Sequence, residues 1–167
     1  FGHPKLTCIP IGLNFDRQSN SLNRWLSSGT QHARDKNLLI NFSKHTHGSR
    51  LSPLKKAHQE WSNFCDIVEP MPAAETKWIE SIIDHRLKVE VTDPSFYNIL
   101  SKYKFILSPR GAGLDCHRTW EAMYVGTIPI VLSSSIDSIY EGLPVLIVKS
   151  WGEITESFLE RKYKEFM

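Results

Sequence analysis

The sequence predicts an α/β domain in which a doubly wound parallel sheet is covered by helices on both faces. From about Asn37 onward, short apolar runs alternate with amphipathic stretches, as in repeated βα units. Three runs lack polar alternation, which is typical of central parallel strands: Phe105–Ser108, Ile128–Leu132 and Val145–Val148. Helix-capping residues precede several of the amphipathic stretches. Together these observations predict a Rossmann-like fold.

The first predicted strands and helix follow from this alternation. Leu38–Phe42 is the first strand, and Asp66–Val68 is a second, short one. Between them, Ser52 and Pro53 supply an N-cap and a proline at the first helical position. The helix that follows is expected to bury one face, formed by Leu54, Ala57, Trp61 and Phe64.

Further elements are predicted before the central strands. Pro72–His85 has the periodicity of a helix, and Lys88–Val91 has the composition of a strand. Asp93 and Pro94 then begin a helix. Its inward residues are expected to be Phe96, Ile99, Leu100 and Tyr103.

The chain divides into two regions. Residues 1–36 are expected to form a connecting or docking segment, with a candidate strand at Thr7–Ile11 and Trp25 as the main apolar anchor. Residues 37–167 are expected to form the Rossmann-like domain. Its last helix is predicted to begin with a capping box, Ser150–Glu153, and to bury Ile154, Phe158 and Leu159.

The composition is that of an ordinary globular domain, with 41% hydrophobic and 23% charged residues. A net charge of +2 without a basic run argues against a nucleic-acid partner. No run approaches the roughly 20 apolar residues of a membrane span, and the opening residues do not resemble a signal peptide. The cysteines are scattered and are expected to be free thiols rather than a disulfide framework: Cys8, Cys65 and Cys116.

Residues 108–131 carry the clearest functional signal. A buried strand ends at Ser108, the glycine-containing loop Pro109–Gly113 follows, and a helix is predicted from Asp115 to about Val125. Gly126 then stops the helix. A strand, a glycine loop and a helix N-terminus form an anion site at the carboxyl edge of a parallel sheet.

Charged side chains gather near the start of this predicted helix. His117, Arg118 and Glu121 lie within about one turn of each other, and Arg110 enters from the loop. Two arginines and a histidine suit a pyrophosphate, and a carboxylate one turn further along suits the paired hydroxyls of a ribose. The inward stripe is expected to be Cys116, Trp120 and Met123. An ordinary βα loop with a solvated Arg118–Glu121 ion pair is the simpler alternative.

Residues 108–133 read SPRGAGLDCHRTWEAMYVGTIPIVLS, and this string resembles the most characteristic stretch of exostosin-like glycosyltransferases. The shared features are a Pro-Arg-Gly turn after a strand, a helix with an arginine and a Glu-Ala pair, and a following Gly-x-x-Pro. The string is also similar to the nucleotide-sugar site of the wider GT-B-type superfamily. The resemblance implies that the chain is one lobe of a GT-B-type enzyme, with a second lobe N-terminal to it.

The resemblance further implies transfer of a sugar from a UDP- or GDP-linked donor to a carbohydrate or glycan acceptor. Arg110 and Arg118 would neutralise the diphosphate, with Arg50 as a third candidate, and Glu121 would hold the donor ribose. The base would lie near Val91–Asp93. The rest of the phosphate cradle would be formed by Gly111, Gly113, Asp115 and His117.

Gly113 departs from the GT-B pattern, since many of those enzymes have a second acidic residue at this position. No Asp-x-Asp motif is present, and the spacing of His45 and His47 matches no closed zinc site, so no metal or other cofactor is expected. Two other functions stay open, a non-catalytic nucleotide-sugar-binding module and a Rossmann-like phosphohydrolase. The compartment also stays open between the cytoplasm and the Golgi lumen.

Overall fold

The structure, a computed structural model, describes residues 7–13, 22–29, 32–68 and 94–167. The described part contains one five-stranded sheet in which every strand pair is parallel. The strands are β1 (Lys36–Ile40), β2 (Cys65–Ile67), β3 (Tyr103–Leu107), β4 (Ile128–Leu132) and β5 (Leu146–Val148). Their spatial order is β2-β1-β3-β4-β5, which is consistent with a Rossmann-like α/β fold.

Helices flank the sheet. The longer ones are α1 (Leu51–Glu60), α2 (Pro94–Leu100), α3 (His117–Tyr124) and α4 (Glu156–Phe166). Residues 22–27 are also helical. Short 3-10 turns are formed by Gly48–Arg50, Asp137–Tyr140 and Trp151–Glu153. Within the described ranges, no helix combines the length and apolar character that crossing a bilayer requires.

Successive strand residues point to opposite faces of the sheet, and each face has its own core. The first core joins the sheet to α1 and α4 and includes Leu38, Ile40, Phe105, Leu107, Ile130, Trp61 and Leu159. The second joins it to α2, α3 and residues 22–27 and includes Leu39, Ile106, Leu22, Tyr97, Leu100, Ala122 and Val125. Fully burying one such Leu, Ile or Phe side chain stabilises the fold by about 1.5–3 kcal/mol. The sheet is therefore held from both sides, as the apolar runs predict.

Five of the six strand predictions that fall on described residues are confirmed. Ile128–Leu132 agrees at both ends, and the other four differ by one or two residues at one end or at both. The predicted helix Pro72–His85, the strand Lys88–Val91 and the suggested base site at Val91–Asp93 lie outside the described residues.

The start of α1 differs from the prediction. The 3-10 turn Gly48–Arg50 leads directly into the helix, which begins at Leu51, so Ser52 lies inside the first turn and is not the N-cap. His47 caps the 3-10 turn instead, because its Nδ1 accepts a hydrogen bond of 3.2 Å from the Ser49 amide.

The start of α4 differs in a similar way. The capping box of Ser150 and Glu153 is present, but it closes the 3-10 turn Trp151–Glu153. The helix begins at Glu156, with the Thr155 hydroxyl accepting a hydrogen bond of 3.1 Å from the Phe158 amide. The predicted inward residues of this segment are buried or half-buried: Ile154, Phe158 and Leu159.

Two further predictions are wrong. Residues 7–13 form no strand, and Ile9 is 87% exposed, because this segment lies along the surface rather than in the sheet. Ile99 of α2 is half-exposed, and Tyr97 takes the inward position with 1% exposure.

Gly126 ends α3 in a left-handed conformation, with φ of +75°. Arg34 lies against this end, where its Nε donates to the Gly126 carbonyl at 2.9 Å and its guanidinium also bonds the Val125 carbonyl. A Cβ at position 126 would collide with the Arg34 guanidinium. Backbone conformation and packing therefore both require glycine here.

Gly126→Ala is expected to lower the free energy of unfolding by about 1–3 kcal/mol, because alanine is strained in the left-handed region and displaces Arg34. Urea unfolding measures the change. Gly48→Ala is the matched control, since a Cβ there meets no atom within 4 Å, and its effect should stay within about 0.5 kcal/mol. Equal stability of the two variants would contradict the assignment.

Candidate functional site

The site lies where the strand order changes direction. β2 pairs with one edge of β1 and β3 with the other, so the chain crosses over between β1 and β3. Ligands of open parallel sheets bind outside the carboxyl ends of the strands at such a point. The segments that follow these strands flank it, residues 41–50 after β1 and residues 108–116 after β3.

The Arg50 side chain joins these two segments through hydrogen bonds. Its side chain is buried, with the whole residue 5% exposed. Its Nε donates to the Arg110 carbonyl at 2.8 Å, and its terminal nitrogens donate to the carbonyls of Ser43 at 2.9 Å and Pro109 at 3.3 Å. Its Cζ also lies 5.4 Å from the centre of the Phe42 ring. Arg50 therefore fixes the conformation of the loop by bonding its carbonyl groups.

Gly111 lies close against the Arg50 guanidinium. A Cβ at Gly111 would lie 3.1 Å from a terminal nitrogen of Arg50, so the guanidinium would have to shift by a few tenths of an ångström. The Gly111 amide donates to the Gly113 carbonyl at 3.1 Å, which curls the loop and leaves that amide unavailable to a ligand. The amides of residues 112–115 donate to no acceptor in the described part of the chain. They are the donors that an anion would meet.

Asp115 organises the end of the loop. Five hydrogen bonds of 2.8–3.0 Å reach its two carboxylate oxygens. The donors are the amides of Ile11 and Cys116, the Trp120 indole N–H, which is shared between both oxygens, and the Tyr140 hydroxyl. Such a carboxylate has little capacity left for a ligand. The Asp115 side chain therefore positions the loop, and only the Asp115 backbone amide remains to meet an anion.

His117 ties the N-terminal segment to the same place. Its Nδ1 lies 2.7 Å from the Gly12 carbonyl, and the neighbouring Ile11 amide donates to Asp115. Residues 7–13 therefore run across the start of α3. Because a carbonyl only accepts, Nδ1 is the protonated nitrogen, and Nε2 of the neutral ring is an acceptor rather than a donor for an anion.

Arg110 and Arg118 bring the positive charge. One terminal nitrogen of Arg110 donates to the Ala112 carbonyl at 3.3 Å. The Nε atoms of both arginines are buried and have no hydrogen-bond partner among the described residues. Burial and the nearby Arg50 charge lower the pKa of Arg118 to about 10, while Glu121 acts in the opposite direction. Arg118 therefore stays cationic at neutral pH, and the cationic guanidinium groups lack full compensation.

Glu121 is more deeply buried than the sequence suggests. It is 3% exposed, and its Oε1 has no hydrogen-bond partner within the described ranges. Burial raises the pKa of Glu121, and the charges of Arg118 and His117 oppose that change. A buried carboxylate without a full set of donors is unfavourable unless a bound group supplies them.

The predicted inward stripe of α3 is wrong. The buried residues are Thr119, Glu121 and Ala122, and the Thr119 hydroxyl bonds the Ser108 hydroxyl at 2.9 Å. Trp120 and Met123 are half-buried, because they pack sideways on a separate cluster that contains Val131, Tyr140 and Val145. The helix is therefore rotated about its axis relative to the prediction, and Glu121 faces the interior.

Tyr97 was not found by sequence reasoning. Its residue is 1% exposed, and its hydroxyl has no hydrogen-bond partner among the described residues. Burial and the charge of Glu121 both raise the pKa of Tyr97. An aromatic residue in an amphipathic helix gives no local signal that its polar end will face another element.

A cavity of about 160 Å³ opens beside Arg110 at the carboxyl ends of β3 and β4. Its lining includes Ser49, Pro109, Leu114, Ser134 and Trp151. Across the described residues, no group of three or more His, Cys, Asp or Glu side chains is arranged to hold a metal ion. His47 bonds Ser49, with 2.8 Å between its Nδ1 and the serine hydroxyl.

No protein-family model matches this chain, and no curated protein matches it in sequence.

Proposed function

We propose that this domain binds the diphosphate of a UDP- or GDP-linked sugar and forms the donor-binding lobe of an exostosin-like, GT-B-type glycosyltransferase. One observation carries the proposal. Arg110, Arg118 and Glu121 each have a buried polar atom without a partner in the described structure; the arginines stand at the N-terminus of α3, and Glu121 lies about one turn further along. Cationic donors beside a helix N-terminus suit a diphosphate, and a carboxylate further along suits a sugar hydroxyl.

The arginines serve the departing diphosphate in this proposal. When the bond between sugar and phosphate breaks, negative charge grows on the phosphate oxygens. The Arg110 backbone and the loop that carries the amides are already held in place by Arg50 and Asp115, so the loop needs little rearrangement to stabilise that charge. Transfer would then need no metal ion. Arg50 acts here through the loop it supports.

The acceptor, a carbohydrate or glycan, is assigned to a second lobe N-terminal to this chain. GT-B-type enzymes place the donor between two lobes, and in this proposal the described sheet belongs to one of them. The catalytic base is assigned to that second lobe as well. This chain alone should bind the donor and turn it over poorly.

Titration calorimetry with UDP and GDP tests the proposal. Wild-type protein is expected to bind at least one of them, and Arg110→Ala to weaken binding about 10- to 100-fold through loss of a charge-assisted hydrogen bond. Arg161→Ala is the matched control, because Arg161 is exposed on α4, and it should leave affinity unchanged. Absence of UDP and GDP binding by the wild-type protein would overturn the proposal.

Sugar transfer by the protein with both lobes separates an enzyme from a passive binding module. Loss of transfer in Glu121→Ala, with the protein still folded, is the result expected of an enzyme. Hydrolysis of simple phosphate esters that persists in both Arg110→Ala and Glu121→Ala would instead indicate a phosphohydrolase.

A further inference from the structure

Two buried polar groups from different helices, Tyr97 of α2 and Glu121 of α3, lie on the same side of the sheet. Tyr97 belongs to the second core together with Ala122, the residue next to Glu121. The Tyr97 hydroxyl and the Glu121 Oε1 are both buried, and neither has a hydrogen-bond partner among the described residues. The described core therefore leaves one donor and one acceptor unused near each other.

We propose that the Tyr97 hydroxyl and the Glu121 carboxylate together hold a hydroxyl of the donor ribose, which makes Tyr97 a second ribose-binding residue of this site. The proposal rests on the proposed function, since it assumes that a nucleoside diphosphate is the ligand.

Apolar packing holds the Tyr97 ring in place. The ring is surrounded by the apolar residues of the second core, and the Phe96 ring meets it edge-on with 5.4 Å between the centroids. A phenylalanine would fill that space equally well. The hydroxyl therefore adds nothing to the described packing, and a buried hydroxyl without a partner is unfavourable.

The chemistry of the pair selects an alcohol. Burial, aided by the charge of Glu121, raises the pKa of Tyr97, so the phenol keeps its proton and is a donor at neutral pH. The Glu121 carboxylate is an acceptor only. An alcohol hydroxyl can accept from the Tyr97 hydroxyl while donating to the Glu121 carboxylate. A phosphate would be repelled by Glu121. The vicinal hydroxyls of a ribose fit this pair, and the diphosphate remains with the arginines.

The test is a titration of UDP and GDP and of their 2′-deoxy and 3′-deoxy counterparts against wild-type protein and Tyr97→Phe. Tyr97→Phe should weaken binding of the ribonucleotide roughly 3- to 10-fold, as expected for one neutral hydrogen bond. The deoxy analogue that lacks the bonded hydroxyl should bind both proteins equally. Tyr124→Phe is the matched control, since Tyr124 is exposed on α3.

Three results would overturn the inference. Unchanged binding of every ligand by Tyr97→Phe would remove the hydroxyl from the site. An equal loss for the ribonucleotide and both deoxy analogues would indicate a packing role only. Failure of wild-type protein to bind any of the nucleotides would overturn the proposed function and this inference together, whereas the first two results leave the proposed function intact. Thermal unfolding of Tyr97→Phe without ligand should match or exceed the wild-type midpoint.

Discussion

Asp115→Asn is expected to lower the free energy of unfolding by about 3 kcal/mol and to weaken nucleoside diphosphate binding as well. The substitution keeps the shape of the side chain, but it replaces one acceptor oxygen with an amide NH₂ group. Both oxygens of Asp115 accept from N–H or O–H donors, so any orientation of the asparagine sets a donor against a donor. The loop, α3 and residues 7–13 should loosen together.

Urea unfolding and UDP or GDP titration on the same preparations measure both effects. Glu141→Gln is the matched control, because Glu141 is exposed and makes no side-chain hydrogen bond in the described structure. Its stability should remain within about 0.5 kcal/mol of wild type. If Asp115→Asn were as stable as this control, Asp115 would not organise the loop.

Glu121→Gln is expected to weaken nucleoside diphosphate binding about 10-fold at neutral pH, because hydroxyl donors bond a carboxylate more strongly than an amide. The variant should also remove a pH dependence. Wild-type affinity should fall as the pH drops through the raised pKa of Glu121, because protonation removes the charge that the ribose hydroxyls bond. Titrations over a pH series with both proteins measure the two curves.

The free energy of unfolding of the ligand-free protein should change with pH in the opposite direction, rising as the pH falls. Burial raises the pKa of Glu121 above its ordinary value of 4.5, so the folded protein holds this proton more tightly than the unfolded chain does. The contribution to stability is therefore complete below pH 4.5 and lost as the pH rises through the folded pKa. The difference in unfolding free energy between wild type and Glu121→Gln isolates this group. Parallel slopes for binding and stability would contradict the role of the carboxylate.

The central strands were predictable because they are buried on both faces. A short run of apolar, β-branched residues such as Ile128–Leu132 is typical of a covered parallel strand, whatever its neighbours. Helix starts were less predictable, since α1 and α4 are each entered through a 3-10 turn that uses the same capping residues as an α-helix would.

The candidate site was predictable in its location and less so in its details. The glycine loop and the charges of α3 follow from local spacing, as the anion-site pattern indicates. The roles of Arg50 and Asp115 depend on partners far along the chain, such as Ile11 and the Arg110 carbonyl, which no local pattern encodes. The inward turn of Glu121 arises because Trp120 and Met123 have their own cluster to pack against.

The hydrogen bond between the Ile11 amide and Asp115 spans 104 positions of sequence. During synthesis residues 7–13 leave the ribosome before Asp115 does, and Asp115 is made only after the first three strands. Contacts between such distant positions form late, because a long stretch of chain must be ordered before they compensate for its entropy. The loop of residues 109–115 should therefore be among the last parts of this domain to mature, and a nascent chain that ends before α3 should not bind the proposed nucleoside diphosphate.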